Sequence, residues 1–154
     1  MLLIEDDGAT TRDLSNRLEN EFGCEIKHAY SYSSAIGLWE KYNGHFNCIV
    51  LDLNINPTGL DVVRLNKYDS LIGMAFLDDI CDGKTEDEIK KIWKKIVIYS
   101  GYIKELKNKE REFGWQLKFL KLISKDTSGI SKLLESINQI IKLPHTPTMK
   151  EFHA

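Results

Sequence analysis

The sequence predicts one α/β domain, a five-stranded parallel sheet with helices on both faces, and three observations predict it. Strand-like and helix-like patterns alternate along nearly the whole chain, the signature of repeated βα units. Residues 46–53, FNCIVLDL, form an almost unbroken apolar run rich in β-formers, as a central strand covered on both faces requires. Right-handed crossovers between parallel strands then distribute the helices over the two faces of the sheet. With 154 residues the chain is long enough for one domain with a substantial core.

Leu2, Leu3 and Ile4 make a short first strand stopped by Glu5, Asp6 and Asp7. Leu14, Leu18 and Phe22 recur every four residues, one face of a first helix, and Gly23 stands where its C-terminal cap belongs. Ile26, His28 and Tyr30 alternate with Lys27 and Ala29 as a second strand. Ser31 to Ser34 offer N-caps for a second helix carrying Ala35, Ile36, Leu38, Trp39 and Tyr42, which Asn43 and Gly44 end. After the third strand, residues 54–59 read as a loop by their Asn, Pro and Gly content, and a helix starts at about Leu60. Residues 65–95 exceed what one βα connection needs. Thr85 to Glu88 form a capping box, so an extra helix precedes strand four, and the apolar residues 71–77 read as an extension of the third helix packed on the body, with an exposed partner surface as the alternative. Residues 96–99 read as strand four, 104–113 as a charged surface helix and 117–124 as strand five. Ile130, Leu133, Leu134, Ile137, Ile140 and Ile141 mark the last amphipathic helix. The domain spans residues 1–142, and residues 143–154, with Pro144 and Pro147, read as a loosely ordered tail.

Composition narrows the function. A net charge of −2 argues against broad electrostatic capture of nucleic acid. No apolar run approaches a membrane span, and the N-terminus lacks the pattern of a signal peptide. Cys24, Cys48 and Cys81 are odd in number and lack metal-site spacing, so reduced thiols and a cytoplasmic setting are expected.

Polar groups stand at the strand ends. Glu5, Asp6 and Asp7 close the first strand, Asp52 the third, Ser100 the fourth and Lys125 the fifth. The C-terminal ends of parallel strands gather along one edge, where open α/β sheets bind ligands. Carboxylates, one ammonium and one hydroxyl would meet there, a set suited to holding a divalent cation and moving a phosphoryl group. Each group alone has an ordinary reading, as a solvated strand exit, a cap or a surface lysine. Their order and convergence favour a site.

These motifs, LLIED, IVLDLNINP, IVIYSG and LKLISK, resemble the receiver domain of two-component response regulators, the CheY-like branch of the flavodoxin-like folds, over residues 2–142. The resemblance implies strand order 2-1-3-4-5 and makes Asp52 the phosphoacceptor. It implies Mg²⁺ held by Asp6 and Asp52, by Glu5 through water and by the Asn54 backbone carbonyl, with Lys125 and Ser100 meeting the phosphoryl oxygens. The implied partners are a histidine kinase or phosphotransfer protein and a downstream protein target reached through the helices after strands four and five. A phosphorylation-dependent homodimer is admitted as well. Direct DNA binding by this chain and a membrane are not implied. Such a protein is a signalling switch that assists its own phosphorylation and dephosphorylation rather than an enzyme.

Two departures bear on the readout. Asp126 replaces the proline that usually follows the lysine; a trans Lys125–Asp126 bond is expected, and the extra carboxylate competes for Lys125. Leu122 replaces an aromatic switch residue; Tyr99 and Tyr102 are nearby aromatics that read equally as substitutes or as packed or exposed residues. A pseudo-receiver, a protein-binding module independent of phosphorylation, is therefore the alternative. An aspartate-nucleophile phosphatase of the haloacid dehalogenase type is disfavoured, because Asn54 stands where its acid would be and cannot donate a carboxylic proton.

Overall fold

A computed structural model describes residues 1–142 of the chain, so the tail lies outside the described residues. The chain runs β1 (Leu2–Ile4), α1 (Gly8–Phe22), β2 (Lys27–Ala29), α2 (Tyr32–Lys41) and β3 (Ile49–Leu51). Then follow α3 (Val62–Tyr68), α4 (Ile72–Cys81), α5 (Glu86–Trp93) and β4 (Ile96–Ser100). The chain continues through α6 (Ile103–Phe113), a 3-10 turn (Leu117–Phe119), β5 (Lys121–Ser124) and α7 (Gly129–Ile141). The strands form one parallel sheet in the order β2-β1-β3-β4-β5, as the resemblance implies.

Alternation along the strands splits the core in two. Leu3, Val50, Val97 and Tyr99 face α1 and α7 through Leu14, Leu18, Leu133, Ile137 and Ile140. Leu2, Ile4, Ile49, Leu51, Ile96 and Ile98 face the other layer, which holds α2, α4, α5 and α6. The initial helices start where the caps predict. Asp7 caps α1 by accepting from the Ala9 and Thr10 amides, and Ser31 and Ser34 cap α2 reciprocally. Gly23 ends α1 in the left-handed region.

The connection from β3 to β4 departs most from the expectation. The expected long third helix is split into α3 and α4, because Asp69 takes a positive φ of 51° and breaks the chain after α3, while α5 is the extra helix that the Thr85–Glu88 capping box predicts. Helix α4 is apolar nearly all round, with Ile72 to Leu77 and Ile80 buried, so it needs cover on its outer side too. Helix α3 supplies cover as a second layer. Arg64 holds the Asp79 carboxylate bidentately, at 2.7 and 3.0 Å, while the Tyr32 hydroxyl donates to the same group. The Tyr68 hydroxyl donates to Asp78 at 2.7 Å. Val62 and Val63 lie on the far side of α3, 71% and 78% exposed, rather than in the core.

Strand five is shorter than expected. Residues 117–119 turn as a 3-10 helix, because Trp115, Leu117 and Leu120 fold inward to close the end of the core and the Leu117 amide donates to Glu110. The three cysteines are free; burial pushes the Cys48 thiol up to about 12, which fits an inert reduced thiol.

Candidate functional site

The parallel register brings the ends of β1, β3, β4 and β5 to one edge, where Ser100 closes β4 and Glu5, Asp52 and Lys125 directly follow the other three. Lys125 is the centre of the arrangement. Its Nζ donates to Glu5 Oε2 at 2.5 Å and to Asp52 Oδ2 at 2.9 Å. Burial opposes its charge, but the two carboxylates outweigh that and hold its pKa above the usual lysine value. Glu5 is buried and its pKa is raised, first by burial and then by the Asp52 charge, with Lys125 opposing. Its second oxygen accepts from the Asp7 amide at 3.1 Å. The His28 ring on β2 donates from Nε2 to the Glu5 carbonyl at 3.0 Å, a backbone support that no sequence motif announced. Asp52 is buried, and its Oδ1 accepts from the Leu53 amide at 2.7 Å.

Asp6 is exposed, yet a carboxylate oxygen of Glu5, Asp6 and Asp52 each lies within 4.8 Å of the others. Burial and then the Asp52 charge raise the Asp6 pKa. Three oxygen donors at this separation fit a hard divalent cation, which would also relieve the repulsion those shifts express. Asp7, the third member of the acidic run, does not join them. It is the α1 cap, and the Thr10 hydroxyl beside it holds its carboxyl below the usual range.

Ser100 is fully buried at the end of β4, where its Oγ accepts from the Tyr102 amide at 3.1 Å and its carbonyl accepts from the Lys125 amide. Asn54 is exposed, and its side-chain amide donates to the Tyr102 hydroxyl at 3.1 Å. This bridge across the loops after β3 and β4 joins residues far apart in sequence, so spacing could not reveal it.

The competition expected from Asp126 does not occur. Its carboxylate accepts from the Ser128 amide and hydroxyl, each at 3.0 Å, which turns it into the loop before α7 and holds its pKa low. The Lys125–Asp126 bond is trans, as every described peptide bond is. Leu122 packs against the core on the α6 side. Tyr99 is buried on the opposite face with Lys125 Nζ 5.5 Å from its ring centre, so it is a core residue rather than a substitute switch.

The order of strands, the two helical layers and the carboxylate–lysine edge define a receiver-type fold. Solved structures carry the same fold. The non-phosphorylated HemR receiver domain from Leptospira biflexa is 21% identical at a TM-score of 0.61, covering 96% of this chain and 97% of that one. The signal receiver domain of a DNA-binding response regulator from Colwellia psychrerythraea is 21% identical at 0.60, covering 92% and 97%. The receiver domain of Francisella response regulator 1452 is 20% identical at 0.60, covering 92% and 94%. No family model and no curated protein matches the sequence. No described helix is long and apolar enough to cross a membrane.

Proposed function

We propose that this chain is a response regulator receiver, a cytoplasmic switch that takes a phosphoryl group onto Asp52 from the phosphohistidine of a kinase or phosphotransfer protein. The observation that carries the reading is the Lys125 ammonium bridging Glu5 and Asp52 beside Asp6. An Asp52 oxygen attacks phosphorus, the P–N bond of the donor breaks, and the imidazole takes up a proton as it leaves. Asp6 and Asp52 would hold Mg²⁺, with Glu5 acting through water and the Asn54 carbonyl as a further ligand, and bound metal would offset charge on the transferring group. Lys125 is positioned to follow the phosphoryl oxygens, and the Ser100 hydroxyl can donate to another of them. Reorientation of Ser100 would release the Tyr102 amide, so the Asn54–Tyr102 bridge is the nearest element to register the change. Output then passes to a protein target through α6, β5 and α7, or to a second copy of the chain.

Treatment with an acyl phosphate and Mg²⁺ should add one phosphoryl group by intact mass, labile to acid, to base and to hydroxylamine as an acyl phosphate is, and Asp52→Asn should abolish it. No adduct, or an adduct retained by Asp52→Asn, overturns the reading. Leu122 favours a second one, a phosphorylation-independent binding module. Equal partner binding with and without beryllofluoride would select that module.

A further inference from the structure

At the end of the sheet away from Asp52, the inserted α5 leaves a cavity of about 360 Å³ between itself and the corner after α6. Trp93, Phe113, Trp115 and Phe119 wall it, and Phe113 and Trp115 stack with ring centres 4.3 Å apart. Two carboxylates line it: Glu86 from α5, which is paired with Lys90 at the rim, and Asp78 from α4. Asp78 accepts from the Tyr68 hydroxyl and the Trp115 indole but pairs with no cation among the described residues, and burial raises its pKa. The Trp93 indole N–H in the wall is buried without a hydrogen-bond partner among the described residues.

Beyond Phe119 the surface turns basic. A second groove is lined by Lys94, Lys118, Lys121, Phe119 and Gln139. Lys118 and Lys90 each stand 5.2 Å from the Phe119 ring centre, so the basic ledge begins where the aromatic cavity ends. Glu86 neutralises Lys90 at 3.3 Å, and Lys121 donates to Gln139; neither Lys94 nor Lys118 has a carboxylate partner among the described residues.

We propose that this end of the domain binds a purine nucleotide, its ring in the aromatic cavity and its phosphates on the Lys94–Lys118–Lys121 ledge. Aromatic walls suit a planar ring of any identity. A carboxylate that still has free lone pairs accepts ring or amino N–H groups, which a guanine edge presents in a pair. Ammonium groups complete the phosphate side. The cavity volume is at the lower end of the range for small-molecule sites, about 300–1,000 Å³, and suits a nucleoside rather than a larger cofactor. Neither hydrophobic ring nor phosphate alone would use both grooves.

The test titrates GTP, GMP, guanosine and inorganic triphosphate into the full chain carrying Trp39→Phe, so that Trp93 and Trp115 report. The expected result is saturable quenching by GTP and GMP, with guanosine weaker by about tenfold or more and triphosphate silent in fluorescence. The surface variant Lys94→Ala/Lys118→Ala/Lys121→Ala should weaken GTP by about tenfold and leave guanosine unchanged. Asp78→Asn should reduce binding of guanosine and GTP alike. The absence of saturable quenching at millimolar nucleotide overturns the proposal. So does GTP binding that the lysine variant leaves intact, or triphosphate competing as well as GTP. Asp52→Asn should bind GTP normally, which keeps this outcome separate from that of phosphorylation.

Discussion

Lys125 is the residue on which the site depends most. With its ammonium removed, Glu5 and Asp52 would face one another in a largely buried crevice without a cation. Breaking a buried ion pair on one side costs about 3 kcal/mol or more. Lys125→Met should therefore destabilise the domain by about 3 kcal/mol near neutral pH, read from urea unfolding. The pH dependence has a definite sign. The raised pKa of Lys125 contributes stability that is fully present below the ordinary lysine value and is lost as pH rises through the folded one. Glu5, with its pKa raised, already costs stability when ionised. The deficit of Lys125→Met should thus shrink as pH falls through the carboxylate range and Glu5 takes up a proton. A deficit that does not shrink as pH falls through the carboxylate range would contradict the bridging geometry. Asp126, turned toward Ser128, should tolerate Asp126→Ala with no change in phosphorylation of Asp52, measured by intact mass.

At the scale of elements, α3 and the packing of α4 are the features to test. Arg64→Ala removes the two charged hydrogen bonds to Asp79 and should cost about 2 kcal/mol. Hydrogen exchange should show Val62–Tyr68 opening first while β1, β3 and β4 stay protected. Uniform loss of protection would mean that α3 is part of the cooperative core. Gly73 begins α4 against β3, and its amide donates to the Leu53 carbonyl at 2.8 Å. A Cβ there would stand 2.2 Å from the Asp52 carbonyl oxygen and 3.1 Å from the Leu53 Cα, both backbone atoms. Alanine in a helix ordinarily stabilises relative to glycine by about 1 kcal/mol, but this clash should reverse the sign and cost about 2 kcal/mol. It should also slow phosphorylation, since α4 is pushed from the strand that ends in Asp52. Gly8→Ala, with open space around the added carbon, is the matched control.

At the scale of the molecule, the site joins four strand ends, so a ligand held there ties both core layers together. Mg²⁺ bound by the native fold alone should raise the unfolding temperature, by about 2.7 kcal/mol of stability at a hundredfold excess over Kd. Glu5→Gln and Asp52→Asn should remove that gain in differential scanning calorimetry while Asp7→Asn keeps it, because Asp7 caps α1 instead of facing the cluster. An equal gain in all variants would place the cation elsewhere.

By itself the sequence determined the succession of elements, the two-sided sheet and the identities of Glu5, Asp6, Asp52, Ser100 and Lys125 as strand-end groups. Local pattern suffices for these, since strand periodicity, caps and turn residues act within a few positions. The same locality explains what it missed. Alternation cannot say where a strand stops pairing, so residues 117–119 read as strand until Trp115 and Leu120 turned inward in three dimensions. An apolar segment does not name its cover, so the splitting of the third helix and the Arg64–Asp79 clamp emerged only from packing. Nor can adjacency in sequence assign a carboxylate its partner. Asp7 and Asp126 both sit beside site residues, yet each is spent on its own loop, while Glu5, 120 positions from Lys125, shares its proton-rich head group. Tertiary structure alone decided those pairings, because ion pairs and hydrogen bonds depend on distance in space, which the register of five parallel strands sets.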